Sequence, residues 1–360
     1  MSARPTVASG KRPDRISGPA LLKIAIVKLS SLGDVIHALP VAHALRRSRS
    51  GIHLTWIVEA REYALLAGHP DLDSVVPVDT RLWRRLIWRP AGARQVVGKV
   101  RRLRRRVRSA RFDVAIDLQG LMKSGLLTAY TGAPIRIGFS ADRCRERLNC
   151  LFTNRRVRPP ASAVHVVDQY LSLLAPLGVT PGPVEFHVPL LPAAERRMED
   201  FLGEQGVKSQ DCLIAINPGA GRADKQWPVA HFRALADRLA QEPNARILLL
   251  WGPDEVHMAR QIRDGLQARA ILAPPTALHE LGALLRRAAL MVANDTGPLH
   301  LAAALGTPSL GLYGPTRAER NGPYGRHCTG VQSPDGTMAG LAPDLAVDAA
   351  RALLAARRDG

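Results

Sequence analysis

Short apolar runs rich in Ile, Val and Leu alternate with longer stretches of helical period, and the alternation occurs twice along the chain. The first series comprises LKIAIVKL, IHLTWIVE, SVVPV and DVAIDLQG, with helical spacing in VIHALPVAHALRR after the first run. Strands separated by helices rather than hairpin turns predict a mainly parallel sheet. After the Pro-rich passage LGVTPGPVEFHVPLLPAAE the pattern restarts with CLIAINPGAG, a helix at VAHFRALADRLAQ, then ARILLLWGPDE, MVANDTG and SLGLYGPT. The expected class is α/β, with two doubly wound domains, and 360 residues suit two domains of roughly 150 each. Two such sheets facing each other bring their carboxyl ends into one cleft, where sheets of this kind bind ligands. Only 6 Phe, 5 Trp and 5 Tyr are available, so the core must be mainly aliphatic, which disfavours an aromatic-rich β-sandwich.

The formal charge of +19 is unevenly placed. Between Arg81 and Arg111 stand 13 Lys or Arg and no Asp or Glu, whereas residues 190–343 carry 16 basic against 15 acidic side chains. A field concentrated in the first half attracts phosphates, whether of nucleic acid, an anionic membrane surface or a phosphorylated substrate. Residues 1–20 mix Pro, Gly, Ser and Arg without periodicity and read as a disordered basic tail. Cys144, Cys150, Cys212 and Cys328 form no CxxC pair and no metal-like spacing, so neither a zinc site nor a disulfide framework is expected. No uncharged apolar stretch approaches the roughly 18 residues of a transmembrane helix, and residues 1–20 contain no signal-peptide core. A cytoplasmic protein is expected, with a basic face able to rest on a membrane.

Four loops carry candidate chemistry. In KLSSLGD, Gly33 permits a tight turn before a helix, and Asp34 points toward the cleft, where it can accept a proton. Ser31 and Asp34 are equally spaced as a capping pair without further role. In NPGAGRADKQWP, Gly219 and Gly221 let backbone amides approach an anion and Lys225 can neutralise a diphosphate, although no Walker loop is present. In NDTGPLHLAAALGTP, Asp295 and Thr296 stand at a strand end, Gly297 opens a helix, and His300 lies in its first turn, where a packing role competes with ligand contact. In DLQGLMKSG, Gln119 and Lys123 can hydrogen-bond a polar ligand, and the arginines of RLWRR can clamp carboxylates or phosphates.

Taken in order, KLSSLGDVIHALP, AIDLQGLMKSG, INPGAGRADKQWP and NDTGPLHLAAALGTPSLGLYGPT closely resemble glycosyltransferase family 9, the ADP-heptose lipopolysaccharide heptosyltransferases, over roughly Leu22 to Arg326. DLQGLMKSG and RLWRR are most similar to the members that add the first heptose to Kdo-lipid A. The resemblance implies a GT-B fold, two Rossmann-like domains across a cleft: an acceptor-binding domain over 21–185 and a nucleotide-sugar-binding domain over 186–343, followed by a helix and tail over 344–360. It implies that Asp34 is the general base, with Ser31, Gly33, Arg81, Arg84, Arg85, Gln119 and Lys123 on the acceptor side. On the donor side it implies Gly219, Ala220, Gly221, Lys225, Asp295, Thr296, Gly297 and His300, with Asp254 or Glu255 on the ribose. Some relatives carry threonines where this chain has Ala220 and Gly221, so donor contacts there fall to backbone amides. The implied reaction is direct displacement with inversion, and a closing motion brings the two halves together. No DxD-like metal clamp is present, so metal-independent chemistry and no cofactor are expected.

The implied partners are ADP-heptose, Kdo-lipid A and the anionic surface of the inner membrane, on whose cytoplasmic face the protein would act peripherally; no nucleic acid and no obligate protein partner are expected. A sister heptosyltransferase acting at a later position, or on another nucleotide sugar, is the nearest alternative. A non-catalytic nucleic-acid-binding protein using the segment Arg81 to Arg111 is the remote one, disfavoured by the scarcity of aromatics for base stacking.

Overall fold

A computed structural model describes residues 21–86, 90–266 and 270–358. The tail expected over residues 1–20 lies outside the described residues. The first sheet contains β1 (Leu22–Val27), β2 (Ile52–Glu59), β3 (Ser74–Val78), β4 (Val114–Asp117), β5 (Ile135–Phe139) and β6 (Arg155–Val157), in the spatial order β3-β2-β1-β4-β5-β6. The second contains β7 (Cys212–Asn217), β8 (Ala245–Leu249), β9 (Ala270–Leu272), β10 (Leu290–Asn294), β11 (Ser309–Tyr313) and β12 (Cys328–Gln332), in the order β12-β11-β10-β7-β8-β9. Read from its own first strand, the second order is the same as the first. Every pairing in both sheets is parallel. The fold is α/β with two doubly wound domains of Rossmann type, as the alternating pattern predicts.

The apolar runs are continuous because both faces of each sheet are covered. In β1, Ala25 and Val27 pack with Leu103 and Val107 of the long helix Pro90–Ser109, while Ile24 and Ile26 face a different core. That second core is shared between the domains: it joins Ile24, Ile26, Leu54 and Trp56 of the first to Leu213, Ala215, Met291 and Ala293 of the second. On the outer face of the second sheet, Ile214 and Ile216 pack with Trp227, Phe232 and Leu354 of the helix Pro343–Arg358. Among the described residues no helix is long and apolar enough to cross a membrane.

In each sheet the chain reverses its winding beside the first strand, between β1 and β4 and between β7 and β10. The loops leaving these four strands open at the carboxyl edges, where a doubly wound sheet forms a crevice. Across the domain boundary, the helix Leu32–Ile36 after β1 meets the helix Gly297–Ala304 after β10. Glycines allow the approach from both sides. A Cβ on Gly33 would stand 2.5 Å from His300 Cδ2, and a Cβ on Gly297 would stand 2.7 Å from Leu32 Cδ2. Gly33 has no left-handed backbone, so its lack of a side chain, rather than freedom to turn, is what this position requires.

The substitution Gly33→Ala is expected to force the two helices apart and cost roughly 1–3 kcal/mol, the usual penalty of overpacking. Denaturant unfolding checks this, and an unchanged midpoint would show that the contact yields freely.

Candidate active site

The floor of the site is a buried ammonium. Lys28 follows β1 and is 1% exposed, with its Nζ donating to Tyr170 Oη at 2.6 Å and to the Leu118 carbonyl at 3.3 Å. Its charge is matched by Asp34, whose Oδ1 lies 3.5 Å away. Burial opposes the charge on Lys28, but Tyr170 and Asp34 outweigh it and hold the pKa above the ordinary lysine value. Burial would likewise raise Asp34. Lys28, the Ser31 amide and Arg145 instead bring it down to about 2. Asp34 is therefore a carboxylate at neutral pH, and its side chain remains 30% exposed to the cavity.

The loop that presents Asp34 is tied at several points. Ser31 donates to Asp34 Oδ2 through both its amide (3.1 Å) and its hydroxyl (3.0 Å), so the capping pair and the cavity-facing carboxylate are the same residues. Gln119 spends its side-chain amide on this loop: Oε1 accepts from the Leu29 and Ser30 amides at 2.9 and 3.3 Å, and Nε2 donates to the Ser30 carbonyl at 2.8 Å. Tyr170 Oη lies 3.4 Å from Asp34 Oδ1 and donates to it.

Across the boundary, Asp295 organises the other wall. Lys225 Nζ donates to its Oδ2 at 2.6 Å and Thr316 Oγ1 to the same oxygen at 3.0 Å, while His300 Nε2 pairs with Oδ1 at 3.2 Å. Burial pushes the Asp295 pKa up, but His300 and Lys225 hold it well below the usual carboxylate range. His37 stacks edge-on against His300 with centroids 4.2 Å apart, and burial, with His300 and His165 nearby, keeps its ring neutral.

These groups enclose a cavity of about 360 Å³. Of the residues proposed from the sequence, Ser31, Gly33, Asp34, Lys225, Asp295, Thr296, Gly297 and His300 line it. Arg145, Tyr170, Arg222, Arg320 and His37 line it too, and sequence reasoning missed them. Arg222 stands in a quoted motif, but Arg145, Tyr170 and Arg320 had no local signal, because they come from other elements far along the chain.

The remaining sequence candidates lie outside this lining. Gly219, Ala220 and Gly221 form the loop after β7, where a Cβ on Gly219 would displace the Glu255 carboxylate. Glu255 Oε2 accepts from the Gly252 amide at 3.0 Å in the loop after β8 and lies against Gly219 of the loop after β7, whereas Asp254 is exposed with a left-handed φ of 67°. Lys123 Nζ is 3.7 Å from the buried Glu59, which also accepts from the Thr80 amide at 3.1 Å, anchoring the helix Thr80–Leu86. Arg81 and Arg85 are exposed on that helix, and the side chain of Arg84 lies outside the described residues.

The arrangement sets the ionised carboxylate of Asp34 opposite a wall in which Asp295 holds Lys225 beside Arg222, Arg320 and the start of the helix Gly297–Ala304. Such a cavity can take a proton from a hydroxyl on one side and stabilise a departing polyanion on the other. Replacing Lys28 with Met is expected to raise the Asp34 pKa, because the largest influence opposing burial is then removed and only Ser31 and Arg145 remain against it. The acid limb of the kcat/KM profile should move to higher pH by about one unit or more. An unmoved limb would remove Asp34 from the proton-accepting role or Lys28 from its control.

Comparisons with known proteins identify the family. Residues 100–343 match the family described as glycosyltransferase family 9 (heptosyltransferase). The chain is 34% identical to lipopolysaccharide heptosyltransferase 1 of Pseudomonas aeruginosa, over 85% of this chain and 82% of that one. It is 32% identical to lipopolysaccharide heptosyltransferase 1 of Salmonella typhimurium, over 89% and 97%. Among solved structures it is similar to the E. coli heptosyltransferase WaaC with ADP-2-deoxy-2-fluoro heptose, with a TM-score of 0.74 and 29% identity over 91% of this chain and 98% of that one. With a family match over most of its length and a cavity between two doubly wound domains, this chain belongs to glycosyltransferase family 9 and is a glycosyltransferase of GT-B type.

Proposed function

We propose that the protein transfers heptose from ADP-heptose to the Kdo of Kdo-lipid A, adding the first heptose of the lipopolysaccharide inner core. The observation that carries this reading is the cavity in which ionised Asp34 faces Lys225, Arg222 and Arg320 from the opposite domain. The names of the two heptosyltransferase 1 relatives support the position of transfer, and the ADP-sugar of the WaaC structure supports the donor.

Asp34 is the general base. It removes the proton of the acceptor hydroxyl as that oxygen attacks the anomeric carbon of heptose, and the bond to the ADP oxygen breaks on the opposite face, inverting the configuration. A carboxylate with a pKa of about 2 is a weak base in the free protein, so the proton moves with bond formation rather than ahead of it. Lys225 neutralises the departing diphosphate together with Arg222 and Arg320. In the described state the Lys225 ammonium is bound to Asp295, which therefore holds it in place for the phosphates. Thr296 and Gly297 supply groups at the start of the helix Gly297–Ala304. Glu255 takes the ribose hydroxyls in preference to Asp254, since its carboxylate sits between the loops at the ends of β7 and β8 while Asp254 is exposed. The loop amides around Gly219, Ala220 and Gly221 complete the donor side.

Ser31 and Gly33 border the acceptor beside Asp34, and Gln119 positions their loop. Arg81, Arg84, Arg85 and Lys123 meet the acidic outer parts of the acceptor. The exposed arginines of the helix Pro90–Ser109, among them Arg101, Arg102, Arg105 and Arg106, suit an anionic membrane surface on the cytoplasmic face of the inner membrane, while Leu103 and Val107 hold the helix to the sheet.

The test is incubation with ADP-heptose and heptose-free Kdo-lipid A in the presence of EDTA. ADP release with a one-heptose gain in acceptor mass is expected; ADP binding without transfer would move the function to a later heptose or another donor. Asp34→Ala should lower kcat by about a hundredfold or more with ADP affinity nearly unchanged. Lys225→Ala should instead weaken ADP binding, and calorimetry showing unchanged affinity would overturn its diphosphate role.

A further inference from the structure

Away from the cavity, three chain segments bring imidazoles and carboxylates together. His43 stands on the helix Leu39–Ser48, Asp71 in the turn before β3, and His187 on residues 179–191, which join the two domains without helix or strand. One ligand-type atom from each lies within 4.8 Å of the others. Asp71 Oδ2 is 2.8 Å from His187 Nδ1 and 3.4 Å from His43 Nδ1. Glu185 Oε2 stands 3.6 Å from the Nε2 of both rings.

The hydrogen bonding of this cluster is incomplete. His43 is buried, yet neither of its ring nitrogens has a hydrogen-bond partner. Its Nδ1 is close to the Asp71 carboxylate without the alignment of a hydrogen bond. A buried polar atom left in this way is destabilising, and a shared ion would satisfy it. The backbone of Asp71, by contrast, is firmly placed: its carbonyl accepts from Arg46 Nη2 at 2.8 Å, and its amide donates to His69 Nδ1 at 3.2 Å.

We propose that His43, Asp71 and His187 form a binding site for a divalent ion of the zinc class, held by the two Nδ1 atoms and Asp71 Oδ2, with Glu185 beside the Nε2 atoms that the ion leaves free. Two imidazoles and a carboxylate oxygen are ligands that suit zinc and disfavour magnesium or calcium. Zinc bonds of about 2.0–2.1 Å in a tetrahedral site place ligand atoms roughly 3.3 Å apart; the carboxylate–imidazole separations of 2.8 and 3.4 Å bracket that value, and all three ligand atoms lie within 4.8 Å of one another. A cavity of about 190 Å³ bordered by His43, Arg47, Thr180 and Pro183 offers the ion a path from solvent. The ion would pin the interdomain segment to the domain that carries Asp34. None of the three ligands lines the catalytic cavity, so the site is structural and leaves the transfer chemistry metal-independent. Spacing could not disclose it, because the ligands are 28 and 116 residues apart.

The experiment uses the full chain, stripped of metal by chelator, desalted and titrated calorimetrically with zinc chloride, with metal content and thermal unfolding measured in parallel. One equivalent of zinc and a raised unfolding temperature are expected. His187→Ala, on the irregular segment, should weaken binding by more than about tenfold, and Asp71→Asn should do the same. Unfolding of each variant without metal verifies that it is folded. No retained zinc would show a hydrogen-bonded cluster only. Undiminished affinity in folded His187→Ala would place any bound zinc elsewhere; either result overturns the proposal.

Discussion

The ammonium of Lys28 has no access to water, and the first domain is arranged around satisfying it. Removing such a charge from solvent costs several kcal/mol unless it is paired and hydrogen-bonded. Its partners come from three places: the carbonyl of Leu118 after β4, the hydroxyl of Tyr170 on the helix Val166–Ser172, and the carboxylate of Asp34 on the helix after β1. Trp56 of β2 donates its Nε1 to the Lys28 carbonyl at 3.0 Å, fixing the backbone as well. One residue thus ties four elements together, three of them through its charge, and that charge keeps Asp34 ionised. Stability and reactivity meet in a single pair.

The second domain reaches the opposite polarity from the same strand order. There a carboxylate, Asp295, is the organising group, and Lys225, Thr316 and His300 are gathered around it. The two halves therefore present complementary charges to one cavity: a lysine-held carboxylate on one side and a carboxylate-held lysine on the other. Contact between the helices Leu32–Ile36 and Gly297–Ala304 sets the distance between them, through the close approach of Gly33 to His300. A domain movement that changed this contact would also change the separation of base and cations.

Much of the fold was legible because strands covered on both faces leave unbroken apolar runs, as in LKIAIV and CLIAIN. The strands that escaped notice are those near or at sheet edges. β6, β9 and β12 are short or half-exposed, and β5 is interrupted by Arg136 and Gly138. In the site, Asp34, Lys225 and Asp295 were legible since each belongs to the short segment that follows a strand, where local composition reports local chemistry. Tyr170 and Arg145 were not, because what makes them matter is distance in space to Lys28 and Asp34. Gln119 was visible as a polar residue at a strand end, but its service to the Leu29–Ser31 backbone needs the coordinates. The same holds for Gly33, whose role is set by a histidine 267 residues away.

In the proposed reaction an acceptor oxygen, relieved of its proton by Asp34, displaces the diphosphate in one step across the cavity between the domains. The anomeric configuration of the newly transferred sugar, determined by nuclear magnetic resonance on the enzymatic product and compared with the donor, reports whether it does. Single displacement predicts complete inversion. Retention would require a second displacement or a front-face path, and would contradict the role assigned to Asp34.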